Sequence, residues 1–372
     1  MKCKLAEICT FRKGKVNVSK LTLKTYISTE NMLPDKGGIT EAGSLPKVEL
    51  TQEYKKDDIL VSNIRPYFKK IWKAKYDGGC SNDVLVFRGN LNIDNDFLYY
   101  ILANDDFFAY AMATSKGTKM PRGDKISIMQ YEVSIFDIDT QKRIASVLKW
   151  LDEKIELNKE INNNLEQQAQ AIYQQMFIDN PDPDWIEGSL SDIANITMGQ
   201  SPSGSSYNED GIGTIFFQGR AEFGFRFPTI RLYTTEPKRI AYANDILMSV
   251  RAPVGDLNAA HNDCCIGRGL AAIHSKTNHQ SFVLYTMFSL KKQLDVFNGE
   301  GTVFGSINRN SLNDMPFLIP DDEQIEKFEL IVAPMDAAIR NNYDEICRLQ
   351  AVRDSLLPRL MSGELDVSNI GL

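Results

Sequence analysis

Residues 139–177 read DTQKRIASVLKWLDEKIELNKEINNNLEQQAQAIYQQMF, nearly forty positions without a glycine or proline. Apolar side chains return in it every three or four residues, which predicts one long helix with a coiled-coil seam. One set of seam positions is Leu148, Ile155, Asn162, Ala169 and Met176, and the other is Ile144, Leu151, Asn158, Leu165 and Ile172. At 1.5 Å per residue, Ile144 to Met176 spans roughly 48 Å. That is too long for a packing helix in a small domain, so the rod needs a partner.

The partner is in the same chain. Residues 322–360 carry a matching seam of Val332, Ile339, Ile346, Arg353 and Leu360 with Phe328, Met335, Asn342, Leu349 and Leu356. Pro334 lies early in it, which predicts a kink or a short first helix. The segments before the two helices are also alike. Leu5, Ile8 and Gly14 meet Leu190, Ile193 and Gly199 at an offset of 185. Asp58, Ile59, Leu60, Ser62 and Pro66 meet Asp245, Ile246, Leu247, Ser249 and Pro253 at 187. Gly117, Thr118, Ser127, Ile135 and Asp137 meet Gly301, Thr302, Ser311, Ile319 and Asp321 at 184, and the match runs on through Asp152, Ile155, Asn158 and Leu165 to Asp336, Ile339, Asn342 and Leu349. A near-constant offset over most of the chain marks a tandem duplication.

The expected fold is therefore mixed α/β (α+β). Two similar globular domains, 1–138 and 180–320, are separated by two long antiparallel coiled-coil helices, 139–179 and 321–372 including the tail, in a pseudo-twofold arrangement. Asn180-Pro181-Asp182-Pro183-Asp184 marks the boundary after the first helix. Antiparallel pairing brings Asn158 and Asn342 near each other, where a buried polar pair can fix register. In the first domain Ile59-Leu60-Val61 and Val84-Leu85-Val86-Phe87 read as strands, Phe97 to Ala113 as a helix, and Ser115 to Lys125 as a basic loop.

The 372 residues are 43% apolar with a net charge of −7, a composition that argues against nonspecific coating of nucleic acid. The acidity is uneven: residues 1–139 carry 21 Lys plus Arg against 18 Asp plus Glu, and residues 321–372 carry 5 against 11. Local basic faces remain available. No apolar run reaches the length of a membrane span or a signal peptide, so a cytoplasmic location and no membrane partner are expected. Cys3, Cys9, Cys80, Cys264, Cys265 and Cys347 lack metal-ligand spacing and are expected as free thiols. No metal site is expected.

A rod holding two similar domains about 50 Å apart suits a duplex with two reading sites, because the major groove returns every ~34 Å. The second domain opens with Ile196-Thr197-Met198-Gly199-Gln200-Ser201-Pro202 and continues with Phe217-Gln218-Gly219. It then runs from Asn244-Asp245-Ile246-Leu247 through Ser249-Val250-Arg251-Ala252-Pro253-Val254-Gly255 to Gly267-Arg268-Gly269-Leu270. The chain closes on Ser355-Leu356-Leu357-Pro358-Arg359-Leu360-Met361-Ser362-Gly363-Glu364-Leu365. In order and spacing this resembles the specificity subunit of type I restriction-modification systems over essentially the whole chain, with the first domain matching more loosely as Asp58-Ile59-Leu60, Ser62 and Ile64-Arg65-Pro66. The resemblance implies two target recognition domains, each reading half of a split sequence in double-stranded DNA. It implies that the helices space them and dock two modification subunits, which bind S-adenosylmethionine and methylate adenine. Restriction subunits in the full complex would bring ATP and Mg, leaving this chain without catalytic residues or a cofactor of its own.

The residues agree. No Gly-rich nucleotide loop of the G-x-x-x-x-G-K-[ST] type is present, and Asn63-Ile64-Arg65-Pro66-Tyr67 only imitates an adenine methyltransferase motif. Candidate DNA contacts in the first domain are Arg65, Lys69, Lys70 and Lys73, with Tyr67 or Trp72 to stack or wedge, and Lys116, Lys119, Arg122 and Lys125 in the Gly-containing loop. The alternative for the first group is a half-buried strand with solvated lysines. In the second domain they are Gln200, Ser201 and Ser203 on a Gly/Ser/Pro loop, Arg220, Arg226 and Arg231 among Phe223, Phe225 and Phe227, Arg251 in the repeated framework, and Arg309 after the Gly-rich stretch 299–309. For Arg251 and Arg268 an ion pair with Asp245 or Asp256 is the competing expectation. Two other functions compete: a coiled-coil scaffold presenting two protein-binding domains, and a free-standing methyltransferase or nuclease.

Overall fold

A computed structural model of the chain describes residues 2–299 and 305–367. They form two compact units, one of residues 1–157 with 344–372 and one of residues 158–343. Each unit takes part of both long helices, Ile138–Tyr173 and Asp322–Ser362. Among the described residues, no helix is long and apolar enough to cross a membrane.

In the first unit, a four-stranded antiparallel sheet runs in the order Cys9–Phe11, Val84–Gly89, Ile59–Ser62, Ile71–Lys73. One face carries Cys9, Ile59, Val61, Leu85 and Phe87 against the helix Asn95–Ala103, the helix Asp105–Ala113 and the long-helix residues Ile144, Leu148, Leu357 and Leu360. The other face carries Leu60, Trp72, Val84 and Val86 against a second sheet, ordered Lys15–Asn17, Leu50–Tyr54, Gly78–Cys80, Tyr26–Ile27. This alternation is what period-2 geometry requires of strands buried on both faces. The helix expected from Phe97 to Ala113 is two helices, because Asn104 leaves helical geometry and its side chain accepts from Asp106 N–H at 3.2 Å, capping the second.

The second unit repeats the plan. Its four-stranded sheet is ordered Ala194–Met198, Leu270–Ser275, Ile246–Ser249, Leu257–Ala259. The short helix Leu5–Ile8 of the first unit recurs as Leu190–Ile193, and in both the residue before the helix donates its N–H to an acid three residues on, Lys4 to Glu7 at 2.8 Å and Ser189 to Asp192 at 2.7 Å. The second sheets share a core of three strands, in which a parallel pair is flanked by an antiparallel neighbour: Leu50–Tyr54, Gly78–Cys80, Tyr26–Ile27 in one, Ile240–Ala241, Cys264–Ile266, Thr214–Phe217 in the other. They differ at the edges. The first adds Lys15–Asn17 beside Leu50–Tyr54, whereas the second extends its opposite edge with Leu232–Thr234 and Tyr207–Asn208. The duplication thus keeps the core and varies the rim.

The helices run antiparallel within each unit. In the first, Arg353 donates to Asp152 at 2.9 Å and Lys154 lies 3.5 Å from Glu345. In the second, Asn162 donates to the Ile339 carbonyl at 3.3 Å and the Tyr173 ring meets Phe328. Of the expected seam positions Ile144, Leu148, Leu151, Ile155, Ala169, Val332, Ile339 and Leu360 are buried, while Leu165, Ile172, Met176, Met335, Leu349 and Leu356 are half-buried. The polar contact at its centre is Asn342 donating to Asn162 Oδ1 at 2.8 Å, while Asn158, expected as the partner of Asn342, is itself buried. The second helix does not stop at Pro334. Proline removes the bond to the carbonyl four residues back and crowds that carbonyl. That carbonyl belongs to Leu330, which is 77% exposed, and buried Phe328, Val332 and Ile339 hold the flanking turns.

Candidate nucleic-acid interface

In the first unit, two of the stretches singled out by sequence come together at one junction. Ile64 bridges Arg122, Lys116 bridges Arg122, and Arg65 N–H donates to the Pro121 carbonyl at 2.8 Å. The turn Pro66–Phe68 with its flanking cations therefore lies beside the loop 116–124. The second unit builds the same junction: Arg251 bridges Ser306, and Ala252 N–H donates to the Gly305 carbonyl at 3.0 Å. Two loops thus meet at corresponding places of the repeat, with different side chains on each.

The second unit adds a glycine-built rim. Gly199 N–H donates to Leu270 O, Gln200 N–H to Ile266 O and Gly267 N–H to Phe217 O, at 2.8–2.9 Å, and Arg268 N–H donates to Ser201 Oγ at 3.2 Å. A Cβ on Gly199 would fall 2.2 Å from the Gly267 carbonyl oxygen, so only glycine allows the strands to approach this closely. The motifs Gly199-Gln200-Ser201-Pro202, Phe217-Gln218-Gly219 and Gly267-Arg268-Gly269 are one structural cluster whose exposed side chains are Gln200, Gln218 and Arg268. Gln218 was not among the candidate contacts, and Arg268 was weighed there between a phosphate contact and an ion pair. Their signal was the neighbouring glycine, Gly219 beside Gln218 and Gly267 and Gly269 on either side of Arg268, which brings backbone close and leaves the polar side chain outside.

Many candidate cations are already paired. Lys69 and Lys36 both reach Asp105, at 2.8 and 2.9 Å. Partial burial pushes the Asp105 carboxyl up, but these two lysines outweigh it and leave it below its usual range. Lys73 pairs with Asp96 at 2.5 Å, and Lys70 donates to the Thr29 carbonyl at 2.7 Å, burial holding its ammonium below the usual lysine range. Arg122 lies 3.2 Å from Asp83 and Lys116 3.6 Å from Asp124. Arg220 pairs with Asp256, and Arg231 donates to Glu222 at 2.8 Å. Asp256 also takes Lys291, and Asp245 takes His274 at 2.6 Å, so neither supplies the ion pair considered for Arg251 or Arg268. Lys119, Lys125, Arg251 and Arg309 are exposed, and Ser203 is exposed with its hydroxyl 2.8 Å from Ser205. Of the stretch 299–309, residues 300–304 lie outside the described residues.

Two expectations need correction. Trp72 is a core residue, edge-on to buried Tyr54, which leaves Tyr67 and Phe68 as the exposed rings of that stretch. Arg226, expected to face DNA, is buried with a side chain 4% exposed. It donates to Glu166 and Asp336 at 3.0 Å and to the Tyr285 hydroxyl at 3.1 Å. Burial works against its charge, but Asp336, Tyr285 and Glu166 together raise its pKa. It therefore ties the segment between Gly219 and Leu232 to both long helices. The first unit has the corresponding carboxylate arrangement: Tyr100 donates to Asp152 at 2.8 Å as Tyr285 does to Asp336 at 3.0 Å. There the cation is Arg353 of the second long helix, not an arginine from a loop. The repeat alignment puts Ala169 at the Arg353 position, and Ala169 is fully buried.

The family model for the type I restriction modification DNA specificity domain matches residues 1–167 and again 183–343. A putative type I restriction enzyme MjaX specificity subunit from Methanocaldococcus jannaschii is 29% identical over 77% of this chain and 72% of its own length. The type I restriction enzyme HindI specificity subunit from Haemophilus influenzae is 24% identical over 91% of this chain and 94% of its own. The crystal structure of a type I restriction-modification system S subunit from M. genitalium aligns with a TM-score of 0.58 at 17% identity, covering 97% of this chain and 96% of that one, and shares the fold.

Proposed function

The chain belongs to the type I restriction modification DNA specificity family, and on that premise we propose that each unit reads one half of a split DNA sequence while the long helices space the units and dock two modification subunits. The observation that carries this reading is the repeated junction. Ile64–Arg122 and Arg251–Ser306 place two loops at the same point of two copies of one fold, and the side chains they present differ, as two unlike half-sites require. Exposed apolar residues along the helices support docking: Trp150 at 62% and Val352 at 46% in the first unit, Leu330 at 77% and Ile331 at 50% in the second. A protein partner seated on the helices would bury these side chains.

On this reading the chain contributes no catalytic group. S-adenosylmethionine and the adenine-methylating chemistry belong to the modification subunits, and ATP and Mg to restriction subunits where they are present. The decisive experiment is a genome-wide map of methylated adenines in cells with and without the gene. Loss of one split motif on deletion supports the reading, and an unchanged map refutes it. Retention of a modification subunit without any sequence-dependent retention of DNA would favour the scaffold alternative.

A further inference from the structure

Tyr67 and Phe68 are 48% and 37% exposed, with ring centroids 4.7 Å apart. They sit on a turn whose backbone is strained on both sides. Arg65 (φ 49°) and Lys69 (φ 50°) flank it, and Asp35 (φ 51°) and Lys36 (φ 61°) lie on the loop against it. Left-handed geometry is disfavoured for residues bearing a Cβ, and such residues gather where function needs a fixed shape. The turn is braced as well. Asp35 N–H donates to Phe68 O at 2.9 Å, Lys36 N–H to Lys69 O at 3.0 Å, and Arg65 N–H to Pro121 O at 2.8 Å. Pro66 is buried beneath it, and the Lys36 and Lys69 pairs with Asp105 tie it down further. Two rings that could lower the free energy by packing inward are instead held in solvent.

The surroundings identify the ligand. Lys70 Nζ lies 5.7 Å from the Phe68 ring centre, and Lys116, Lys119 and Arg122 stand on the loop joined to this turn. Flat π-faces set among cations suit bases for stacking and phosphates alongside. The corresponding turn of the second unit, Ala252-Pro253-Val254-Gly255, carries no aromatic side chain. We propose that Tyr67 and Phe68 form a wedge that enters the DNA stack at one base step of one half-site. The proposal rests on the reading that the first unit binds DNA. A wedge makes recognition depend on how easily that step opens, so it selects sequence at a position no side chain hydrogen-bonds.

The test uses the full chain assembled with its modification subunits and a duplex carrying the motif found in the methylation map. 2-Aminopurine is placed at successive positions of both half-sites, leaving out the methylated adenines, which are unstacked during modification. The expected result is a rise in fluorescence at one position with the wild-type complex. Tyr67→Ala/Phe68→Ala abolishes that rise and weakens binding about tenfold or more, while the slope of log affinity against log salt stays unchanged because no phosphate contact is removed. Tyr67→Phe keeps the signal. Selective binding by wild type without brightening at any of these positions overturns the wedge and leaves the DNA reading intact, whereas absence of selective binding overturns both. A double variant that loses its modification subunits, but binds DNA normally once assembled, also overturns the wedge. Should the double variant not fold, the wild-type scan and Tyr67→Ser decide.

Discussion

Arg226→Met removes the one cation shared by Glu166 and Asp336 and leaves two partly buried carboxylates around the Tyr285 hydroxyl, with side-chain exposures of 17% and 20% for the acids. Removing one partner of a buried pair costs about 3–5 kcal/mol. Some water reaches both acids here, so the lower end, about 3 kcal/mol, is expected. For a unit of this size that is roughly 6–12 °C in Tm. The loss depends on pH. Burial pushes the Glu166 carboxyl above its usual range and Arg226 pulls it back, so without Arg226 its folded pKa rises further. A carboxyl whose folded pKa exceeds its unfolded value stabilises below the unfolded pKa, about 4.3, and that contribution is lost as pH rises through the folded value. The variant should therefore be only mildly destabilised near pH 5 and strongly at pH 7.5.

The assay follows the second unit alone, because a whole-chain transition over two units is not two-state. The chain has three tryptophans, and with Trp72→Phe and Trp150→Phe the remaining reporter is Trp185, whose ring lies 5.9 Å from Phe177 in the second unit's core. Adding Glu166→Gln and Asp336→Asn to Arg226→Met should recover most of the lost stability, since no uncompensated charge remains. A shift under 2 °C at pH 7.5, or one independent of pH, would refute the clamp.

Three further outcomes are expected. Arg12→Ala strips the paired donor from Asp58, whose side chain is 4% exposed, and should destabilise the first unit by about 2–4 kcal/mol in urea denaturation; His274→Ala, at the exposed partner of the corresponding Asp245, should cost under about 1 kcal/mol. Asn162→Leu leaves the Asn342 amide without its acceptor and should cost about 1 kcal/mol, with Asn162→Leu/Asn342→Leu regaining it; equal losses in single and double variants would show that the two do not interact. Inserting one heptad into both long helices adds about 10 Å, so the methylated motif should gain roughly three base pairs between its halves; an unaltered gap in the methylation map would show that the helices do not set it.

What was legible in the sequence, and what was not, follows from the range over which each signal acts. The two long helices and the duplication were readable because their evidence repeats: Asp152 and Asp336, Ile155 and Ile339, hold the same place in both copies and in the structure. The break at Asn104 was missed because capping by Asn competes with a strong apolar periodicity on both sides, and periodicity alone cannot show which wins. The role of Arg226 was hidden for a different reason. Nothing within its own segment announces burial, since its partners Glu166, Tyr285 and Asp336 lie 60, 59 and 110 residues away. The repeat did contain a clue. Tyr100 and Asp152 are matched by Tyr285 and Asp336, but Arg353 is matched by Ala169, so a carboxylate that is answered from the helix in one copy lacks its cation in the other. A cation has to come from elsewhere, and the segment between Gly219 and Leu232 supplies it as Arg226. The first unit satisfies its helix from within the helices, and its turn at Pro66–Phe68 is braced by the backbone hydrogen bonds of Arg65, Phe68 and Lys69; the second ties the segment between Gly219 and Leu232 to the helices through a buried arginine. The two half-sites are thus held by different means, and substitutions that alter one should leave the other's half of the methylated motif unchanged.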